Sequence, residues 1–131
     1  MILLDTNVLV GILRGDGQLA LKFRESAGDL AIPAMVLGEL LYGVEKSSNP
    51  SRNRISVTEL LEALPVMHTT DEIMVLYGKL KALLARQGEI VEDADLLIAA
   101  TALFYDAALV TANIRHFSRF KGLKIEDWSV S

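Results

Sequence analysis

The chain of 131 residues contains no cysteine, which removes disulfides, thiolate zinc sites and thiol nucleophiles together. Any metal it binds must be held mainly by oxygen. Long apolar runs are also missing. The longest, Leu96 to Tyr105, is interrupted by Thr101 and falls short of the roughly 20 residues that a membrane-spanning helix needs. No basic-then-apolar leader opens the sequence, so a cytoplasmic protein with no membrane attachment is expected. Cations are in the minority: 13 Lys and Arg against 17 Asp and Glu give a formal net charge of -4. Overall charge therefore does not advertise nucleic-acid binding, although a local basic surface stays open. Neither a GxGxxG after the first apolar run nor a GKS/GKT loop is present, which argues against a nucleotide-binding fold. What the chain has in quantity is apolar residues, 51% of the total. That excludes a disordered chain and allows an apolar patch covered by a homodimer partner or a bound peptide. The length suits one domain, residues 1–131, able to bury about two-thirds of its unfolded surface.

Periodicity divides the chain into alternating strands and helices. Ile2 to Leu4 reads as a strand, and Val8, Leu9, Ile12 and Leu13 repeat at helical spacing before Gly15-Asp16-Gly17 turns the chain. A helix is expected from about Gln18 to Ser26, and a strand over Leu30-Ala31-Ile32, closed by Pro33. An apolar helix then covers Ala34 to Val44. Ser47 to Ser51 reads as a loop, about Asn53 to Leu64 as a helix ending before Pro65, and Val66-Met67-His68 as a third strand. Thr69 and Glu72 have the spacing of a capping box, opening a helix that runs to Gly88. Asp93 to Tyr105 is a further helix, with Asp93 as its N-cap. Ala108 to Thr111 is the fourth strand, and Leu123 to Ile125 a fifth near the edge. The alternation predicts a three-layer α/β/α domain on a mostly parallel sheet of four to five strands.

Three acids stand out against this frame. Asp5 closes the first strand, and open parallel sheets bind ligands beyond the carboxyl ends of their strands. A lone Asp there is equally a helix N-cap. Glu39 lies on a mostly apolar helix beside Met35, Tyr42 and Gly43, where it is either one solvated charge or the polar end of a site. Asp93 and Asp95 both suit the positive end of a helix dipole. Asp95, however, heads a row with Ile98, Ala99 and Ala102 that would carry its carboxylate to the edge of the core. The topology lets Asp5, Glu39 and Asp95 meet at one crevice. Clustered carboxylates are stable only when protons or cations neutralise them. All-oxygen ligands point to Mg²⁺ or Mn²⁺, ions that activate water in phosphodiester hydrolysis.

The segments LLDTNVLV from Leu3, ELLYGVEKS from Glu39, LARQG from Leu84, ADLLIAATA from Ala94 and LVTANIRHF from Leu109 cover most of the chain, with GLKIEDW ending at Trp128. In this order and spacing the chain resembles the PIN-domain ribonucleases, and within them the VapC toxins of bacterial toxin-antitoxin pairs. The resemblance implies a Mg²⁺- or Mn²⁺-dependent endoribonuclease restrained by a cognate antitoxin. It puts Asp5, Glu39 and Asp95, rather than Asp93, at the family's acidic positions. ELLYGVEKS and LARQG are most similar to the VapC subgroup that cuts initiator tRNA. One departure bears on the metal count: His116 precedes Phe117 where family members often carry a fourth acid. His116 is read either as a ligand or phosphate contact, or as a surface residue at a helix start. Asn7 and Asn113 are candidates for orienting a carboxylate or a bound water, against plain roles at a helix start and a loop turn. Thr111, at the end of the fourth strand, joins them as a supporting or substrate-contact candidate, and Arg86 as a phosphate contact against the reading of a solvated charge. His68 and Trp128 read as structural, Trp128 as an anchor for the last strand.

Two rival functions remain at this stage. A PIN-like module that binds RNA or protein without cleaving it is compatible with His116 and the acidic net charge. Asp5 as a phosphoacceptor is disfavoured, because Asn7 stands where such proteins commonly place a second Asp and no lysine closely follows Thr111.

Overall fold

A computed structural model describes residues 1–130. Its first strand, β1 (Ile2–Leu4), gives way at Asp5 to helix α1 (Thr6–Leu13), followed by α2 (Gly17–Glu25) and β2 (Leu30–Pro33). Then come α3 (Ala34–Glu45), α4 (Pro50–Leu61), β3 (Val66–Met67), α5 (Asp71–Arg86) and α6 (Asp93–Phe104). Strand β4 (Ala108–Val110), the short helix α7 (Ile114–Phe117) and β5 (Lys124–Glu126) complete the order.

All five strands are parallel, in the order β3-β2-β1-β4-β5. Parallel strands demand crossovers, and the helices supply them. Every residue of β2, Leu30 through Pro33, is buried, so both faces of the sheet are covered, as parallel sheets require. Leu3, Leu4, Leu109 and Val110 are fully buried at the sheet's centre, and α6 buries Leu96, Ile98, Ala99, Ala100 and Ala102. The edge strand β5 instead shows Lys124 and Glu126 to solvent, which discourages pairing with another chain. Trp128 just beyond it is buried, and its indole N–H donates to Glu126 Oε2 at 3.2 Å, anchoring β5 as expected.

Several boundaries differ from the sequence expectation, each for a local reason. Helix α4 starts at Pro50, inside the expected loop, because Pro suits the first helical position and Asn49 Oδ1 caps it by accepting from Arg52 N at 3.2 Å. It ends at Leu61 rather than Leu64, and Leu64 joins the core instead. The expected Thr69–Glu72 capping box does not form. Thr70, in an extended conformation, is the cap and accepts from Ile73 N, which leaves Asp71 and Glu72 in the first turn at the favourable end of the dipole. Helix α5 stops at Arg86, and Gly88, at φ +75°, terminates it in the left-handed region. Asp93 is not the N-cap of α6; Glu92 is, and Asp93 belongs to the first turn. Strand β3 ends at Met67, leaving His68 exposed, β4 ends before Thr111, and β5 begins at Lys124 rather than Leu123.

Candidate active site

Strand β1 has β2 on one side and β4 on the other, so the chain's direction of winding reverses between β1 and β4. A crevice opens beyond the carboxyl ends of strands at such a switch point. The register pairs Leu4 with Val110, and the residues that follow, Asp5 and Thr111, therefore emerge side by side at the crevice. Asp5 N–H donates to Val110 O at 2.9 Å, extending the ladder by one rung. Thr111 Oγ1 then donates to Asp5 Oδ2 at 2.7 Å, a fully buried bond, and accepts from Asn113 N at 3.0 Å. The other Asp5 oxygen accepts from Thr6 N at 2.8 Å, so Asp5 does cap α1 while its carboxyl stands in the crevice. The two readings of this residue are compatible.

Asp5 is only 6% exposed. Burial pushes its carboxyl above the ordinary carboxylate range; the Thr111 and Thr6 hydrogen bonds pull the other way, and the negative charge of Asp95 adds to the rise. The field of Asp95 reaches Asp5, as does that of His116. Asp95 sits half-buried in the first turn of α6, and His116 Nε2 lies 2.8 Å from its Oδ2. Arg119 stands behind the imidazole, with a guanidinium nitrogen 2.6 Å from His116 Nδ1 and its Nε donating to His116 O. His116 is thus half-buried and spent on Asp95, and Arg119 is a neighbour that the sequence reading did not single out.

Glu39 joins from α3 by a different route. Its Oε1 accepts from Thr6 Oγ1 at 2.6 Å, so Thr6 links Glu39 to the same turn that holds Asp5. Sequence reasoning missed Thr6. The available signal was a hydroxyl residue directly after the strand-end acid, ready to serve a second carboxylate once α3 packs against α1. Asn7 and Asn113 touch none of the carboxylates. Asn7 Oδ1 accepts from Ala112 N at 3.3 Å and ties the loop after β4 to α1, and Asn113 contributes its backbone N–H to Thr111. Arg86 is exposed at the end of α5, with no ion pair among the described residues. Asp93 is turned away. It accepts from Tyr77 Oη at 2.6 Å and pairs with Lys81 at 2.8 Å, which holds its carboxyl below the usual range and staples α6 to α5.

Among the described residues, no three His, Asp or Glu side chains converge as a ready-made metal cage. Mg²⁺ does not require one, because it keeps several waters and is commonly held by one or two carboxylates. The donor chemistry at the crevice fits such an ion. Asp5 and Asp95 offer hard oxygens, and the charge of Asp5 is opposed by burial and by Asp95 and hydrogen-bonded only by neutral donors. A divalent cation would meet that charge directly.

The fold and the crevice define a class: parallel α/β domains with an acidic mouth at the sheet's switch point. The chain belongs to the PIN domain family, which it matches over residues 2–123. Curated relatives span nearly the same length. It is 32% identical over 127 residues to ribonuclease VapC2 of Haemophilus influenzae, covering 96% of each chain. It is 34% identical over 128 residues to the tRNA(fMet)-specific endonuclease VapC of Shigella flexneri, covering 97% of each. Among solved structures it is similar to VapBC2 of Rickettsia felis bound to a promoter DNA fragment, with a TM-score of 0.91 and 33% identity over 98% of this chain and 99% of that one. DNA-bound VapBC of Salmonella typhimurium gives a TM-score of 0.92 at 33% identity, over 97% of both chains.

Proposed function

We propose that this chain is a Mg²⁺- or Mn²⁺-dependent endoribonuclease, the toxin of a toxin-antitoxin pair. It acts in the cytoplasm as a homodimer restrained by a cognate antitoxin, with initiator tRNA as its RNA target. The observation that carries the reading is Asp5, a buried carboxyl at the switch point whose ionisation is opposed by burial and by Asp95. Its other support comes from relatives named as ribonucleases and from VapBC assemblies of the same fold.

Asp5 and Asp95 would hold the ion directly, and Glu39, anchored by Thr6, would be a further ligand or orient the water. A bound Mg²⁺ or Mn²⁺ activates water and stabilises the leaving oxygen of a phosphodiester. Thr111 and the Thr6 N–H fix the Asp5 carboxylate so that both oxygens keep one orientation without a positive side chain cancelling its charge. His116, backed by Arg119, fixes Asp95 instead. No covalent enzyme intermediate is required.

Purified protein is expected to cut RNA with Mg²⁺ or Mn²⁺ and not in EDTA, and Asp5→Asn to lose cutting while staying folded by circular dichroism. Sequencing RNA ends after induced expression of both forms tests the same point in cells. Identical ends in wild type and Asp5→Asn would defeat the proposal. The His116 contact on Asp95 favours one competing reading, an RNA-binding module without cleavage. That reading requires EDTA-insensitive RNA binding and no cutting under Mn²⁺.

A further inference from the structure

Asp5 and Asp95 are held in different ways. Both oxygens of Asp5 accept hydrogen bonds from fixed donors, the Thr6 backbone N–H and the buried Thr111 hydroxyl. Asp95 is held at one oxygen: His116 Nε2 lies 2.8 Å from its Oδ2, and no other ion pair reaches it among the described residues. A carboxylate touched by a single ring keeps its orientation no better than the ring keeps its own. What fixes the His116 ring therefore decides how Asp95 faces the crevice.

Besides Asp95, two residues hold that ring. Phe117, fully buried, meets it edge to face with the centroids 5.3 Å apart, and packs in turn on buried Phe120, which pins this turn to the core. Arg119 takes the remaining side. Its Nη2 lies 2.6 Å from His116 Nδ1 and 3.4 Å from Nε2, while its Nε donates to the His116 carbonyl at 3.1 Å. The guanidinium thus grips the ring and the main chain of one residue. It is half-buried and pairs with no carboxylate among the described residues. Arginine is the residue of choice for partly buried ion pairs, so one spent on an imidazole calls for another role.

We propose that Arg119 is a positioning residue for the metal site: it locks the His116 ring, the ring occupies Oδ2 of Asp95, and Asp95 is left to meet the ion through Oδ1. This role rests on the metal-dependent ribonuclease reading and adds to it a residue that acts only through another. A guanidinium suits the task because its planar fork makes two contacts in fixed geometry, which the single ammonium of a lysine does not. The direction of the effect separates positioning from charge. A fixed positive charge beside the crevice repels a divalent cation, so its removal alone would tighten binding. Loss of a positioning contact loosens it.

The test titrates Mn²⁺ into the metal-free full chain without RNA. Binding is read by electron paramagnetic resonance, whose spectrum reports the ligand geometry of the bound ion, and thermal melts in EDTA check that each variant folds. Arg119→Lys, which keeps the charge, is expected to bind Mn²⁺ about tenfold more weakly, with an altered spectrum. Arg119→Gln should also bind more weakly, despite losing the repulsion. In a His116→Ala background either substitution should cost nothing further, because the ring through which Arg119 acts is gone. Wild-type affinity and spectrum in Arg119→Lys would overturn the proposal. So would tighter binding by Arg119→Gln, or an equal loss in both backgrounds. Should Arg119→Lys fail to fold, Arg119→Gln carries the same comparison. Absence of Mn²⁺ binding by wild type would defeat the metal-dependent ribonuclease reading and the proposal with it, whereas unchanged binding in the variants defeats the proposal alone.

Discussion

Thr111→Val removes one oxygen from the centre of the site and leaves the shape of the side chain almost unchanged. Thr111 is 1% exposed, and its hydroxyl both donates to Asp5 Oδ2 at 2.7 Å and accepts from Asn113 N at 3.0 Å. A hydrogen bond to a charged group contributes about 1.5 to 3 kcal/mol, and stranding the Asn113 N–H costs on the order of 1 kcal/mol more. The expected loss is about 2.5 to 4 kcal/mol in metal-free protein at pH 7, or a fall in Tm of roughly 9 to 14 °C for a domain of this size. Urea unfolding in EDTA measures it. The loss must also depend on pH. Burial raises the Asp5 carboxyl and the Thr111 bond lowers it, so the variant's folded-state value moves further up. The bond then counts most where Asp5 is ionised, and the loss shrinks as pH falls through the folded-state value. A loss below about 0.5 kcal/mol, or one equal at pH 7 and at pH 4, would refute the account of Asp5 as a buried carboxylate held by neutral donors.

Asp5→Asn removes that buried charge, so metal-free protein should melt higher at pH 7 than wild type; a lower melt would show that the carboxylate is not under electrostatic stress. The folded-state value of Asp5 lies above its ordinary one, so the folded state holds the extra proton, and this group's contribution to stability falls as pH rises through that window. Added Mg²⁺ should therefore raise the Tm of wild type more at pH 7 than at pH 5, and equal shifts would contradict the linkage. Thr6→Val cuts Glu39 from the turn that holds Asp5 and is expected to lower RNA cleavage about 10- to 100-fold, the range for an oriented group around a metal, with the urea midpoint nearly unchanged. Asp93→Asn should leave cleavage intact and Asp95→Asn abolish it, as read on one labelled RNA; loss in both would mean that the staple to α5 governs the site.

The element pattern was legible because it is dictated by local chemistry. Apolar triplets at Ile2–Leu4 and Ala108–Val110 have only a buried parallel sheet to enter, and the helical stripes between them supply its cover. Cap positions were less legible, because neighbouring residues of equal chemistry compete for them. Thr69 and Thr70 differ only in which backbone takes the extended conformation, and the choice is made by where α5 docks. The row of Ile98, Ala99 and Ala102 favoured an inward Asp95, and the resemblance to the PIN-domain ribonucleases fixed the choice of Asp95 over Asp93. What Asp93 does instead depends on Tyr77 and Lys81, residues 16 and 12 positions away on a helix whose packing the sequence does not specify. The role of Thr6 and the contact of Arg119 with His116 were invisible for the same reason. Each acts through one tertiary contact, with Glu39 and His116 respectively.

The choice of neutral donors around Asp5 has a chemical logic. A lysine or arginine against that carboxylate would relieve its repulsion from Asp95 permanently and stabilise the empty fold. The same pairing would leave little negative potential for a cation, because a buried ion pair must be broken before either charge can serve another partner. Thr111 Oγ1 and Thr6 N instead orient the carboxylate while leaving its charge almost whole. Desolvation keeps that charge costly, a cost that a bound cation would relieve. Asp95 is treated differently, since His116 already stands against its Oδ2 with Arg119 behind. The positive field therefore enters the crevice from the Asp95 side, and the uncompensated negative charge lies at Asp5. A divalent ion would meet the stronger demand at Asp5, whose turn also holds Thr6 against Glu39.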